Sequence, residues 1–308
     1  MRAASEAFPT SVASRHSGSD AGQRAAVPFA DPEYYRFGSR AFGSGLYRGL
    51  PHAGAALPVL VAFSLVSSVA CKSRPPAPIL TWHEIGADAQ PATESEGGWR
   101  VPQSRFIAQL DAISGAGFHT VPLSALLTQL EGGPALPQKS VVLTFDDGTQ
   151  DHLERVLPAL RAHKMVGVFF VVAGKIRADE AHRAVEKTPE GEKRYLTWPE
   201  LIALQDAGME LGSHGLTHAR MPDLGEAAAL EELEQSRALL SAGLGRKVEL
   251  LAWPYNSVRA ATRELAKKAG YRAAVAGVVH GSNDVYALYR IPITAETDPV
   301  ALVESLSP

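Results

Sequence analysis

The chain has 308 residues, 45% of them hydrophobic and 20% charged, with a formal net charge of −3. That balance excludes a disordered body, and the absence of any basic block with interleaved aromatics excludes a nucleic-acid binder that works by phosphate neutralisation. One cysteine, Cys71, excludes a disulfide framework.

Residues 1–50 are rich in Arg, Ser, Gly and Ala and show no apolar period. The stretch from Gly54 to Cys71 then carries no charge, and its apolar heart, Leu57 to Val66, has the length of a signal-peptide core and is short for a membrane span. Small residues, Ser68 and Ala70, stand where a signal peptidase would need them. "SVAC" resembles a bacterial lipobox with Ser68 in place of the usual leucine, which implies a lipid on Cys71. An ordinary signal peptide cut nearby and an uncleaved anchor are the alternatives. Residues 1–72 are therefore expected to be an export leader to the periplasm or cell envelope. Residues 73–78 form a Pro-rich tether, and residues 79–308 are the folded body.

Within the body, "APILTWHEI" (77–85) is strand-like. "SRFIAQLDAISGAG" (104–117) sets Phe106, Ile107, Leu110 and Ile113 at a helical period that glycine stops. "FHTVPL" reads as a strand and "SALLTQLEGG" as a helix capped by Ser124. "SVVLTF" is a β-branched strand, "HLERVLPALRAHK" a helix and "VGVFFVV" a buried strand. The charged stretch 175–194 reads as a solvated loop or short helix. "TWPELIALQDAG" opens a helix with Thr197 as N-cap and Pro199 in the first turn. "MELGSH", the long helix "LGEAAALEELEQSRALLSAGLG", "VELLAWPY", the helix "SVRAATRELAKKAG", "YRAAVAG" and the extended "YALYRIPI" complete the alternation. Such alternation implies parallel βαβ units in one α/β domain. Its length suits a TIM-like (β/α) barrel, distorted or incomplete and seven-stranded, whose site gathers at the C-terminal ends of the strands.

Three motifs fall at such strand ends. They are "TFDDG" with Asp146 and Asp147, "SHGLTH" with His214 and His218, and "WPYNS" with Pro254 and Tyr255; His83 in "LTWHEI" is a fourth candidate. Singly, each has an ordinary reading as an Asx turn, a chance histidine pair, a proline stop or a satisfied core histidine. Together they answer a physical problem. Two adjacent carboxylates at the mouth of an apolar strand repel one another and lose hydration, so something must compensate them. Two neutral imidazoles and a carboxylate suit a divalent metal such as zinc and leave a coordination position open. One aspartate would then hold the cation while the other serves as a base.

The order TFDDG, SHxxTH and PY resembles the polysaccharide deacetylase family, the NodB-homology group of carbohydrate esterases, from about Ile79 to Thr294. "AWPYNS…AKKAGYRAAVAG" and "YRIPI" are similar to its bacterial extracellular branch, which acts on N-acetylglucosamine polymers. The resemblance implies Asp146 as catalytic base and Asp147, His214 and His218 as metal ligands. It implies a Tyr255 backbone N–H that holds the oxyanion. In that branch an N-terminal histidine replaces the usual C-terminal Leu-x-His acid, which implies His83 as general acid; His280 lies in a Gly-rich segment instead. Two departures stand out. The arginine that orients the catalytic aspartate is usually two residues before the proline, where this chain has Ala252, and no Asp-x-x-x-Asp-Trp motif is found.

The implied reaction is metal-dependent removal of N-acetyl groups from a glycan with release of acetate, zinc being the first metal to expect and cobalt, nickel or manganese tolerable. The expected partner is the acetylated glycan, with no nucleic acid, and with membrane contact only through the N-terminal segment or a lipid on Cys71. Trp82, Trp99, Trp198 and Trp253 are candidates for sugar stacking or for core packing. A small-amide metal hydrolase and an inactive glycan-binding protein of the same fold remain open, although an intact Asp146 argues against the second.

Overall fold

Strands buried on both faces read as continuous apolar runs, and the runs found in the sequence form one parallel sheet. The computed structural model describes residues 76–88, 98–188, 191–277 and 284–306. In chain order the strands are β1 (Ile79–Trp82), β2 (Glu84–Gly86), β3 (Arg100–Pro102), β4 (His119–Thr120), β5 (Ser140–Phe145), β6 (Val168–Val171) and β7 (Val185–Thr188). They continue with β8 (Gly191–Arg194), β9 (Glu210–Ser213), β10 (Leu250–Ala252), β11 (Ala273–Ala276), β12 (Leu288–Tyr289) and β13 (Ile291–Pro292). The helices are α1 (Gln103–Gly115), α2 (Leu123–Leu130), α3 (Leu157–Ala162), α4 (Trp198–Asp206), α5 (Glu226–Leu244), α6 (Ala260–Lys268) and α7 (Pro299–Leu306).

Hydrogen bonds run β12–β11–β10–β9–β6–β5–β1–β13, and β4 lies against the start of β5. Every pairing along that path is parallel. β12 and β13 are halves of one extended stretch divided by Arg290, so the stretch that pairs with β11 also pairs with β1. The sheet thereby comes round on itself with seven strand positions, the distorted (β/α) barrel expected from the sequence.

Successive strand residues face opposite sides. Leu80, Leu143, Phe145 and Phe169 join Phe106, Leu110 and Ile113 of α1 and Leu160 of α3 in one core. Trp82 stacks on Phe145 at 5.5 Å, and Phe145 on Phe169 at 4.9 Å. Ile79, Val142, Val168, Phe170, Ala252 and Val275 form a second core, into which α2 packs Leu123, Leu126 and Leu127.

The capping of α4 follows the sequence: the Thr197 N–H donates to the Glu200 carboxylate at 2.8 Å. That of α2 does not. The helix starts at Leu123 directly after Pro122, and Ser124 uses its backbone N–H on Glu210. The stretch 175–194 also differs from expectation, since it holds the antiparallel hairpin β7–β8. Glu and Lys are poor strand formers, so composition does not announce it. The hairpin is held by tertiary bonds instead, with Gln150 N–H donating to the Arg194 carbonyl at 2.8 Å and Tyr195 bridging to Thr149. No helix among the described residues is long and apolar enough to cross a membrane. The leader, Cys71 and the first half of the tether (73–75), like His280, lie outside the described residues.

Candidate active site

His83 follows β1, Asp146 and Asp147 follow β5, His214 follows β9 and Tyr255 lies just past β10. Parallel strands therefore deliver all these groups to one end of the barrel. Asp147 Oδ1 lies 3.6 Å from His214 Nε2 and 3.4 Å from His218 Nε2. One donor atom from each of the three falls within 4.8 Å of the others. His214 Nδ1–H donates to the Ala252 carbonyl at 2.9 Å, which fixes the tautomer and turns the Nε2 lone pair toward Asp147. Burial pulls His214 below the ordinary histidine value, and burial beside His214 pulls His218 down to about 4. Neutral imidazoles and an ionised carboxylate are the donors a divalent cation needs, so these three residues fit one.

The backbone is bent to make this arrangement. The histidine pair spans a tight loop rather than a helical turn, with His218 at φ +68. Asp147 and Tyr255 also take left-handed values, φ +76 and +57. Such conformations cost about 1–3 kcal/mol each and cluster where function demands them. Gly148 is required as glycine, because at φ +74 a Cβ would meet the Val171 side chain at 2.8 Å. Glu232 on α5 steadies the loop by accepting the N–H groups of Leu216 and Thr217, both at 3.0 Å.

Asp146 is gripped through both oxygens by Arg290 at 2.7 Å each, and both side chains are almost fully buried. Burial pushes the Asp146 carboxyl up, but the Arg290 guanidinium and the His214 ring outweigh it and hold the group at about 2. Arg290 reaches Asn256 Oδ1 at 3.1 Å as well. It therefore supplies the arginine missing at position 252. Ala252 contributes its carbonyl to His214 instead.

His83 Nε2 stands 3.9 Å from Asp146 Oδ2, and its ring lies 4.5 Å from that of Trp99. Burial lowers its pKa against the raising influence of Asp146 and Asp147. A π-helical turn, His152–Val156, begins five residues after Asp147 and aims His152 back at this segment. His152 Nε2–H donates to the His83 carbonyl at 2.7 Å, and Asp151 accepts the Ile85 N–H at 2.7 Å. The backbone carrying His83 is thus pinned on both sides. In the Tyr255 turn, hydrogen bonds run from Asn256 to Trp253 and from Ser257 to Pro254, which leaves the Tyr255 amide out of them.

A cavity of about 630 Å³ opens above these groups, with His83, Trp99, Lys193 and Tyr255 in its walls. Of the four tryptophans, Trp82 and Trp253 are core residues and Trp198 packs across Gly243, so Trp99 alone faces the cavity.

Two site residues escape a reading of the sequence. Arg290 leaves one signal, a single charge inside the apolar "LYRIPI". Lys193, whose Nζ lies 2.6 Å from Asp147 Oδ2, is one cation among many in a charged stretch and leaves none. Burial raises the Asp147 carboxyl, but Lys193 and the three histidines around it bring it far below the usual carboxylate range.

Residues 133–274 match the sequence profile of the family described as Polysaccharide deacetylase. The Bacillus subtilis protein YxkH, which carries that family's name, is 24% identical over 228 residues, 72% of this chain and 74% of its own length. The poly-beta-1,6-N-acetyl-D-glucosamine N-deacetylase of Escherichia coli is 25% identical over 224 residues, 62% of this chain but only 32% of that enzyme. Among solved structures, the Streptococcus pyogenes deacetylase PplD in complex with acetate shares the fold, with a TM-score of 0.66 and 22% identity over 75% of this chain and 98% of that one. The motif order, the barrel and the profile match agree in likening residues 133–274 of this chain to the polysaccharide deacetylase family.

Proposed function

We propose that this protein is a metal-dependent N-deacetylase that hydrolyses the acetamide of an N-acetylglucosamine-containing glycan and releases acetate. One observation carries the reading. A buried, arginine-held carboxylate, Asp146, stands beside a triangle of metal-competent donors, Asp147, His214 and His218. A binding protein has no use for such a base, which costs stability to bury. The E. coli relative's name supplies the substrate class, a polymer of N-acetylglucosamine.

Asp147, His214 and His218 would hold the cation, zinc by default and cobalt, nickel or manganese by the same donor chemistry. When bound, a divalent cation there supplies Lewis acidity toward the acetamide carbonyl. Asp146, ionised at neutral pH and aimed by Arg290, takes the proton of the attacking water. The Tyr255 N–H donates to the oxygen on which negative charge develops, a donor of the kind typically worth about 3 kcal/mol. His83, on its pinned backbone and with Nε2 3.9 Å from Asp146 Oδ2, takes up the proton that Asp146 has accepted and passes it to the departing sugar amine. Acetate and a free amino sugar result. Trp99 offers a stacking face for a sugar ring in the cavity wall.

In the same reading, residues 1–72 are an export leader and residues 73–78 a tether that holds the catalytic body, 79–308, at the cell envelope, with Cys71 as the point of lipid attachment. The uncharged stretch ending at Cys71 supports it.

The test is acetate release from acetylated chito-oligosaccharides and from peptidoglycan, by metal-stripped protein with and without added zinc. Release should depend on the metal and fall on the order of 10²–10⁴-fold in Asp146→Asn, the range expected for loss of a general base. Tight zinc binding without release from either glycan would favour a small-amide hydrolase.

A further inference from the structure

We propose that Lys193 is a positioning residue of the metal site, holding Asp147 Oδ2 so that the carboxylate offers the cation a single oxygen, Oδ1. The inference rests on the metal-site reading above. The two oxygens of Asp147 have divided surroundings. Oδ1 faces both imidazoles, 3.6 Å from His214 Nε2 and 3.4 Å from His218 Nε2, whereas Oδ2 accepts from Lys193 Nζ at 2.6 Å.

Lys193 does not reach the site as a loose surface chain. It stands on β8 opposite Glu186 of β7, in register across the hairpin. Glu186 in turn accepts from Tyr195 Oη at 2.7 Å and from Lys175 at 3.2 Å. The base of the hairpin is stitched to the aspartate's own loop: Gln150 N–H donates to the Arg194 carbonyl at 2.8 Å, and Leu196 N–H to the Gly148 carbonyl at 2.9 Å. Arg183 clamps the same region to α4 through Glu200 at 2.8 Å. Main-chain bonds thus tie the lysine to the residues that follow Asp147, and the two side chains keep a fixed relation.

A carboxylate free to turn can present both oxygens to one cation. That raises the coordination number and fills the position a substrate carbonyl needs. An ammonium on one oxygen withdraws that oxygen's charge and keeps the group on its edge. It also places a second positive charge near the cation. Lys193 therefore weakens metal binding while keeping the open position open. A merely structural lysine would do the opposite, since its loss would loosen the site.

The experiment titrates cobalt(II) into the metal-stripped full chain and reads the visible d–d absorption and the dissociation constant. The proteins are wild type, Lys193→Met and Lys193→Arg. In Lys193→Met the absorption should lose intensity as the coordination number rises. Its affinity should increase about tenfold, the size of effect that groups bonded to metal ligands exert, while kcat on acetylated chito-oligosaccharide falls and KM changes little. Lys193→Arg should keep the wild-type spectrum. Lys193→Gln gives the same reading if the methionine variant melts early. A Lys193→Met spectrum and affinity that superimpose on wild type, or weaker binding, would overturn the role of Lys193 and leave the metal site standing. Wild type that takes up no cobalt would overturn the metal-site reading and this inference with it.

Discussion

Removing Arg290 would leave Asp146 charged and unpaired where water scarcely reaches, with a second carboxylate, Asp147, next to it. Breaking a buried ion pair from one side costs about 3–5 kcal/mol, a large part of the roughly 5–15 kcal/mol that keeps a domain folded. Arg290→Met should therefore melt early and, where folded, turn over slowly. Lysine keeps the charge but lacks the fork that grips two oxygens. Arg290→Lys should regain most of the stability yet keep kcat on the order of a hundredfold low, the penalty for misaiming a reacting group by about an ångström. Urea unfolding and steady-state acetate release check both variants; wild-type kcat in Arg290→Lys would mean that the fork does not aim the base. Position in the sequence explains why this residue was hard to see. The base and ligands announce themselves because adjacent carboxylates and a four-residue histidine step lie within short words. Arg290 meets Asp146 across 144 residues, and only the closing of the sheet brings them together.

At the scale of elements, the alternation of apolar runs and helical periods foretold the barrel strands and helices α1 to α6 in order because parallel strands are buried along their whole length, whereas β3 and the C-terminal helix α7 were not foreseen. The hairpin β7–β8 and the π-helical turn at His152–Val156 were not legible. Both are stabilised by contacts made elsewhere in the fold, so local propensity carries no trace of them. The same kind of contact couples α1 to the end of α3. His163 Nδ1–H donates to the Ala159 carbonyl at 2.8 Å, and Nε2 meets Asp111 Oδ1 at 2.9 Å. Two acceptors are satisfied together only by the doubly protonated ring. Burial opposes that charge, but the Ala159 carbonyl and Asp111 prevail, and the pKa is raised in the folded protein. The folded state then binds the proton more tightly than the unfolded chain. Its stabilisation is complete below the ordinary histidine value of about 6.5 and fades as pH rises through the raised one. Urea midpoints at pH 5.5 and 8.0 should show wild type exceeding Asp111→Ala by more at the lower pH. An equal difference at both would exclude the coupling.

For the molecule as a whole, the decisive element is the last extended stretch. Through β12 it covers the edge of β11, and through β13 it covers the edge of β1. Between the two it inserts Arg290 into the site. The C-terminal quarter of the barrel and the aim of the base are therefore one structural event: a chain that fails to close its sheet cannot hold Asp146. Leu288, Ile293, Leu302 and Leu306 are all buried by this region, and α7 lies along α1. At about 1.5–3 kcal/mol for each buried aliphatic side chain, these four contribute roughly 6–12 kcal/mol, comparable with the whole margin of stability. They would also be lost together with the pairing of two sheet edges, whose exposed N–H and C=O groups invite association. A chain ending at residue 284 should accordingly lose the cooperative thermal transition of the full chain and aggregate. Far-UV circular dichroism on heating, beside size-exclusion chromatography, reads both effects. A truncated chain that stays monomeric and melts cooperatively near the full-length temperature would show that the first six strand positions hold themselves together. Closure would then serve the site alone, and the loss of Arg290 would have to account for any loss of acetate release.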